Sequence, residues 1–244
     1  VTQKMGVEYK PEVAERKQQK EFDTVPAPKG PKVTAAVYSF KDLTGQRKAD
    51  SKYASFSTAV TQGAEPFLIS ALQDVGQGRW FDVVERYNVD DLIKERTIIT
   101  QMRNQYEGKD AKPLAPLHFA GIIVEGGIIG YDSNTRTGGA GVRLLGIGPY
   151  TQYSQDEITI NMRLVSVQTG EILGSVTVQK TILSTGDGAT VMKFYDMGTK
   201  ALEIDASQTY NEPIQYATRS AIDKGIVEVN LINLRDYSTT KNKS

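Results

Sequence analysis

The sequence predicts an α+β fold in which an α/β domain carries two long amphipathic β-hairpins. At both ends of the chain, strand-like and helix-like segments alternate, which is typical of a sheet covered by helices. Between Ile128 and Ser207, strand follows strand without a helical pattern. Residues 157–164 and 175–182 alternate polar with apolar side chains, so each of these strands has one apolar face and one polar face. We therefore expect the middle of the chain to complete the sheet of the domain.

The N-terminal part of the chain predicts an arm, a strand and a loop. Residues 1–32 are polar and contain several prolines, which predicts an arm without a core of its own. The charged run from Glu12 to Glu21 is expected to be briefly helical. Residues 33–40 have strand composition. The polar residues 41–55 predict an exposed loop after that strand.

A first amphipathic helix is predicted by apolar side chains at helical spacing between Ala59 and Val75. Ser57 or Thr58 is the expected N-cap, because a hydroxyl oxygen can accept a free amide hydrogen of the first turn. Pro66 is expected to interrupt the helix, since proline has no amide hydrogen. The glycines that follow Val75 are expected to end it.

One strand and two more helices complete the predicted domain. Residues 80–84 predict a short buried strand, and Asn88 is the expected cap of a second helix with its apolar side chains on one side. Pro213 is expected to begin the last helix. The apolar face of that helix comprises Ile214, Ala217, Ala221, Ile222, Ile226, Val229 and Ile232.

Two segments, residues 131–153 and 181–207, are candidate hairpins that turn at glycine clusters. Their arms reach the length of about 9 to 11 residues that a membrane-spanning strand needs. The aromatic residues placed for the membrane interfaces are Tyr131, Tyr150, Tyr153, Phe194 and Tyr195. The charged residues expected to face a wet lumen are Arg136, Arg143, Lys193 and Glu203. Periodicity alone leaves open the alternative that both hairpins lie in water.

Insertion of these hairpins into a membrane would require an oligomer. Two hairpins supply only four strands, and the open edges of such a sheet expose backbone amides and carbonyls that hydrocarbon does not tolerate. Several copies of the chain must then share one closed barrel.

Composition and charge exclude other functions. Lys and Arg total 29, as do Asp and Glu, so there is no basic excess to bind nucleic acid. The chain has no Cys and one His, His118, without a second ligand at metal-binding spacing. The longest apolar stretch, residues 121–130, is about half the length of a membrane-spanning helix and contains Glu125. We expect no catalytic residue, metal site or cofactor, and the chain is not predicted to be an enzyme.

Ordered blocks of the sequence resemble one family. The blocks are residues 79–81 (RWF), 95–99 (ERTII), 122–134 (IIVEGGIIGYDSN), 138–153 (GGAGVRLLGIGPYTQY), 169–184 (TGEILGSVTVQKTILS) and 211–213 (NEP). In this order they are similar to segments of the CsgG family of curli secretion channels. The resemblance extends over residues 33–233.

The resemblance implies where the domain and the membrane lie. The implied periplasmic α/β domain consists of residues 33–130, 154–180 and 208–234, the transmembrane hairpins are 131–153 and 181–207, and 235–244 is a C-terminal tail. A homo-oligomer of about nine subunits would share a barrel of about 36 strands in the outer membrane of a Gram-negative bacterium. The family's lipid anchor is an acylated N-terminal Cys, and this chain contains no Cys.

The resemblance also implies a narrow constriction, formed in the family by a Tyr, an Asn and a Phe in the loop after the first strand. Phe56 matches the Phe, and Ser55 stands at the position of the Asn. Ser51 stands at the spacing of the Tyr, whereas Tyr53 is the nearby tyrosine, so both are candidates. Without the resemblance, Phe56 is explained as a hydrophobic staple of the following helix.

The function implied by the resemblance is export of unfolded, curli-type amyloid subunits through this constriction, without a nucleotide. A periplasmic cap factor, a surface factor that anchors the fibre and outer-membrane lipid are the implied partners. The alternative is a soluble periplasmic adaptor or envelope-assembly protein with a related fold. That alternative predicts a monomer with both hairpins in water.

Overall fold

The structure is a computed structural model, and it describes residues 19–45, 63–137, 152–187, 191–197, 202–204 and 213–240. Its helices are α1 (Gln19–Thr24), α2 (Ala64–Gly78), α3 (Val89–Glu107) and α4 (Pro213–Thr240), with a 3-10 turn at Gly108–Asp110. Its strands are β1 (Val33–Asp42), β2 (Phe81–Val84), β3 (Ile122–Thr137), β4 (Gln152–Ser166), β5 (Ile172–Asp187), β6 (Val191–Met197) and β7 (Leu202–Ile204). These elements make the mixed α+β fold that the sequence predicts.

In the described part of the chain, the strands form one seven-stranded sheet in the order β2-β1-β3-β4-β5-β6-β7. β1 pairs in parallel with both β2 and β3, whereas the other neighbouring strands are antiparallel. Parallel neighbours require crossover connections, and α2 and α3 lie in the two connections that follow β1. The strands from the middle of the chain therefore complete the sheet of the domain, as predicted.

The sheet has one apolar, buried face and one polar face, which confirms the prediction from the alternating sequence. Buried side chains on β4 are Ile158, Ile160, Met162 and Leu164, each at most 1% exposed. α4 packs over β4 and β5, while α2 packs over β1 and against α4. On the polar face, Arg163 pairs with Glu125 across β3 and β4 at 2.9 Å. Gln179 Nε2 donates to Glu157 Oε1 across β4 and β5 at 2.5 Å.

The last helix, α4, begins at Pro213 as predicted. Residues of the predicted apolar face that are buried are Ala217, Ala221, Ile222, Ile226 and Val229. Gly225 allows the helix to approach the sheet closely, because a Cβ at this position would meet Met162 Cε at 3.3 Å. The helix continues to Thr240, so it extends into the segment 235–244 that was predicted as a tail.

The first long helix, α2, begins later than the sequence predicts. It starts at Ala64 after Gly63, and Pro66 lies in its first turn instead of interrupting it. Proline is tolerated there because the first amide hydrogens of a helix have no intrahelical acceptor. At its end, Gly76 has φ 59° and a Cβ there would meet Trp80 Cδ1 at 2.5 Å. The predicted end at these glycines is therefore confirmed.

The described end of the N-terminal arm belongs to the core of the domain. Phe22 on α1 is fully buried and Val25 is 1% exposed. Trp80 Nε1 donates to the Pro26 carbonyl oxygen at 2.8 Å. This described part of the arm, residues 19–32, contacts the domain because its apolar residues pack beside α2.

Helix α3 begins after Asn88, as predicted, but the Asn88 side chain makes no capping hydrogen bond with it. No residue of this helix is buried, although its sequence places apolar side chains on one side. Ile93, Ile98 and Met102 are between 44% and 51% exposed. The amphipathic pattern predicts the helix correctly, but it does not predict burial in this chain.

Candidate functional site

The candidate pore loop and the first candidate hairpin leave the domain side by side. Pairing of β1 with β3 ends at Asp42 opposite Ile128. One residue later, the Leu43 amide donates to the Ile128 carbonyl oxygen at 2.9 Å. β3 then continues alone with β4 to Thr137. The root of the loop is therefore fixed to the strand that becomes the hairpin.

A β-bulge marks the place where β3 leaves the core. The register of β3 against β4 shifts between Ile128 and Gly130, which leaves Ile129 as the extra residue. Ile129 is 48% exposed, whereas Ile128 is fully buried. A bulge bends a strand and increases its local twist. This one lies immediately before the predicted boundary of the hairpin at Tyr131, and β3 crosses that boundary without a break.

A turn fixes the direction of the chain at the entrance to the loop. Asp42 Oδ1 accepts hydrogen bonds from the Thr44 amide at 2.8 Å and from the Thr44 hydroxyl at 2.6 Å. Such Asx turns mimic a backbone turn. Gly45 follows with φ 64°, a conformation that glycine adopts at little steric cost.

A buried carboxylate connects the entrance of the loop to its exit. Glu65 lies in the first turn of α2, is 2% exposed and accepts a hydrogen bond from the Phe40 amide at 3.1 Å. The two residues lie close to the two ends of residues 46–62, which are outside the described part of the chain. The two elements that flank this segment, β1 and α2, are therefore joined directly by this hydrogen bond.

A polar cluster lies at the hairpin side of the described part of the core. Asp156 on β4 is 8% exposed. Its Oδ1 accepts hydrogen bonds from Ser133 Oγ at 2.6 Å and from Tyr131 OH at 3.3 Å. Tyr131, which the sequence predicts at a membrane interface, packs against the edge of the core beside Ile158, its β4 neighbour in register. Its predicted role at the interface stays a prediction.

The other predicted hairpin residues have positions in the strand register or lie outside the described residues. Arg136 stands opposite Tyr153 in β3 and β4. Lys193, Phe194 and Tyr195 of β6 stand opposite Thr185, Ser184 and Leu183 of β5, and Glu203 stands opposite Asp196. Ser51, Tyr53, Ser55, Phe56, Arg143 and Tyr150 lie outside the described residues. Their roles as constriction, lumen and interface residues stay predictions.

Sequence reasoning missed the residues that fix this junction. Asp42 and Thr44 followed by Gly45 is a turn signature that the sequence contains. Glu65 has a weaker signal, a charged residue among apolar neighbours at the start of a helix. Asp156 has none, since it occurs beside other polar residues at a strand end.

The described residues contain neither a metal centre nor a membrane-spanning helix. Among the described residues, no group of three or more His, Cys, Asp or Glu side chains could hold a metal ion. None of the described helices is long and apolar enough to cross a membrane. The described residues at the junction supply hydrogen bonds that join β1, β3 and the first turn of α2.

Comparisons with known proteins identify the family. The family model described as "Curli production assembly/transport component CsgG" matches residues 16–243. Curated proteins of that name from Escherichia coli K12 and Salmonella typhimurium are 43% identical over 210 residues, which cover 85% of this chain and 74% of theirs. The protein of that name from Citrobacter koseri has the same identity and coverage.

Two solved structures that match the chain are more distant. A dodecamer of a PelC variant from Paraburkholderia phytofirmans has a TM-score of 0.33 and 11% identity, covering 84% of this chain and 94% of that one. A protein from Xanthomonas campestris has a TM-score of 0.34 and 11% identity, covering 89% and 93%. The family assignment rests on the sequence matches, and by these the chain belongs to the CsgG family of curli production assembly/transport components.

Proposed function

We propose that this chain is one subunit of an oligomeric outer-membrane channel that exports unfolded, curli-type subunits from a Gram-negative cell. The observation that carries the proposal is 43% identity over 85% of the chain to proteins named as curli production assembly/transport components. The α/β domain lies in the periplasm, and residues 131–153 and 181–207 enter the membrane.

The strand geometry supports a barrel shared between copies. β3 and β4 remain paired beyond the core as far as Thr137 and Gln152. β5 extends to Asp187 and pairs with β6. Two such hairpins cannot close a barrel alone, so neighbouring subunits must supply the strands that satisfy the open edges. About nine subunits would give about 36 strands, which is at the upper end of known barrels.

The constriction works by size and entropy. A ring of Phe56 side chains leaves a pore that is wide enough for an extended chain but too narrow for a folded one. Ser55 and either Tyr53 or Ser51 adjoin this ring. Phenylalanine contacts any passing residue without requiring a specific hydrogen bond. A disordered chain confined beneath the pore loses conformational entropy, and escape restores it. Export therefore needs no nucleotide, and selection of the substrate comes from a periplasmic cap factor and a surface fibre-anchoring factor.

Single-channel conductance of detergent-purified protein in a planar bilayer tests the proposal. We expect large, stable steps that increase in Phe56→Ala, because the narrowest part of the pore becomes wider. Phe119→Ala is the matched control, since Phe119 is 88% exposed on the domain and lies outside the hairpins and the pore loop. Equal conductance steps in the wild type, Phe56→Ala and Phe119→Ala would show that the constriction is not formed by Phe56. Absence of conductance from well-folded protein would favour the soluble adaptor.

A further inference from the structure

We propose that residues 111–120 form a strap of polyproline II type that three arginines hold along α3, and that α3 and this strap open together, separately from the seven-stranded sheet. The inference does not depend on the proposed channel function. It concerns a long helix in which no residue is buried.

A tight turn sends the chain back along α3. Gly108 follows the helix with φ 59°. The Ala111 amide donates to the Gly108 carbonyl oxygen at 3.3 Å, which closes the turn. At the far end of the strap, the Gly121 amide donates to the Thr34 carbonyl oxygen of β1 at 2.8 Å. The strap therefore runs from the end of α3 to the start of β3.

Three arginines donate hydrogen bonds to backbone carbonyl oxygens of the strap, and we call these bonds the arginine ladder. The pairs of donor and acceptor residues are Arg103 with Lys112 at 3.0 Å, Arg96 with Ala115 at 2.6 Å and Arg86 with His118 at 2.7 Å. The acceptors recur at every third residue, in the reverse order of the donors, so the strap runs antiparallel to the helix. Hydrogen bonds from a charged donor are stronger than those between neutral groups.

The spacing along the helix matches the spacing along the strap. Arg96 and Arg103 are separated by two helical turns, which span about 10.5 Å. Their acceptors, Lys112 and Ala115, are separated by one turn of a polyproline II helix, which spans about 9.3 Å. Successive arginines on one side of α3 can therefore reach successive turns of the strap.

The exposure of the strap side chains has the same period of three. Side chains at every third position are partly buried, whereas those between them are exposed; the partly buried ones are Ala111, Leu114, Leu117 and Ala120. A polyproline II helix has three residues per turn, whereas a β-strand would alternate at every second residue. Pro113 and Pro116 restrict their own φ to the value that this conformation requires.

The matching face of α3 is also only partly buried. Its partly buried side chains recur at alternating intervals of three and four residues; they are Val89, Leu92, Arg96, Ile99 and Arg103. Most of the stability of a protein helix comes from tertiary packing of such a face. Because the face of α3 lacks buried residues, the ladder supplies an essential part of what holds the helix. Elements with few buried contacts open at a lower free energy than the core does.

Amide hydrogen exchange of the whole purified protein, followed by mass spectrometry, tests the inference. In the wild type, we expect the amides of α3 to exchange faster than those of β4. Arg96→Met keeps the apolar part of the side chain but removes the donors, so it should lower the protection of α3 roughly two- to tenfold without changing that of β4. Lys94→Met is the matched control, because it removes a positive charge from an exposed position of the same helix. Its protection should equal that of the wild type.

Pro116→Gly tests whether the strap and the helix open together. Pro116 is exposed and has no amide hydrogen, so its replacement removes no backbone donor. Glycine gives the released strap more conformations, which favours the open state. We expect the protection of α3 to fall roughly fourfold or more, although the substitution lies outside the helix.

Three results would overturn the inference. Equal exchange in Arg96→Met and Lys94→Met would show that the ladder does not hold α3. Unchanged protection of α3 in Pro116→Gly would show that the strap and the helix open independently. An equal loss of protection in α3 and β4 of Arg96→Met would show that the helix opens only when the sheet unfolds.

Discussion

Gly126→Ala is predicted to destabilise the domain near the start of the candidate pore loop, where β1, β3 and β4 lie side by side. Gly126 lies in β3, opposite Phe40 on one side and Met162 on the other. An added Cβ would overlap the Asn161 carbonyl oxygen and would lie 2.8 Å from Phe40 Cε2 and 3.0 Å from Met162 Cα. Two of these atoms belong to backbone, so they cannot rotate away.

The expected magnitude follows from overpacking against backbone on one side and a buried ring on the other. Overpacking typically costs about 1 to 3 kcal/mol. We expect about 3 kcal/mol here because the backbone neighbours cannot move aside. Alanine restricts the unfolded chain more than glycine does, which offsets roughly 0.4 to 1 kcal/mol. The net loss in the free energy of unfolding is about 2 kcal/mol. With a urea dependence of about 2 kcal/mol per molar, the midpoint falls by about 1 M.

Trp80 provides the assay for this prediction. It is the only Trp in the sequence and is 8% exposed within the α/β domain, so its fluorescence reports unfolding of the domain. Gly130→Ala is the matched control on the same strand, because the described atoms within 4 Å of a Cβ there belong to the Thr159 side chain alone, at 3.3 and 3.4 Å, and lie farther away than those around Gly126. Its midpoint should fall less than that of Gly126→Ala. Equal midpoints for the two variants would refute the packing argument.

Two further predictions use the same Trp80 assay. Phe22→Ala should lower the free energy of unfolding by about 3 to 5 kcal/mol because the ring is fully buried. The control Phe119→Ala should change it by less than about 0.5 kcal/mol because Phe119 is exposed. Similar values for both variants would show that Phe22 is not part of the core. Asp156→Ala should cost about 1 to 3 kcal/mol because the hydroxyls of Tyr131 and Ser133 lose their acceptor. Asp156→Asn, which keeps an acceptor oxygen, should cost less, and the reverse order would contradict the proposed role of the cluster.

The sheet and its two faces could be predicted from the sequence because alternation is a direct consequence of strand geometry. Residues 157–164 alternate strictly, and their apolar members are buried as expected. α4 could be predicted for the same kind of reason, since its apolar residues recur at helical spacing. Burial of Phe22 could not be predicted, because a single aromatic residue in a polar segment forms no repeating pattern that would indicate its packing partner.

The start of α2 and the environment of α3 show where local patterns fail. Ser57 and Thr58 are good caps, but α2 begins after Gly63, where Ala64 and Glu65 can be buried beside β1. α3 has an apolar side, yet no described element buries it. Both outcomes depend on tertiary contacts, which propensity and periodicity do not contain.

The candidate site was predictable only in part. The resemblance supplied Phe56 and its neighbours, whereas Glu65 and Asp156 required coordinates because their partners are distant in sequence. Ser51 and Tyr53 both remain candidates because, in the proposed ring, several copies of the chain would surround each of them. One sequence specifies the residues of such a constriction without specifying its diameter.

Passage of a polypeptide through the reconstituted channel tests the central claim most directly. An unfolded curli-type subunit, added on the side of the α/β domain, should produce transient current blockades whose frequency rises with its concentration. A compact folded domain of similar length should not pass through the channel, so it should produce no blockade that ends in passage. In Phe56→Ala, the blockades produced by the unfolded chain should be shorter. Equal behaviour of folded and unfolded chains, or blockades unaffected by Phe56→Ala, would contradict the account.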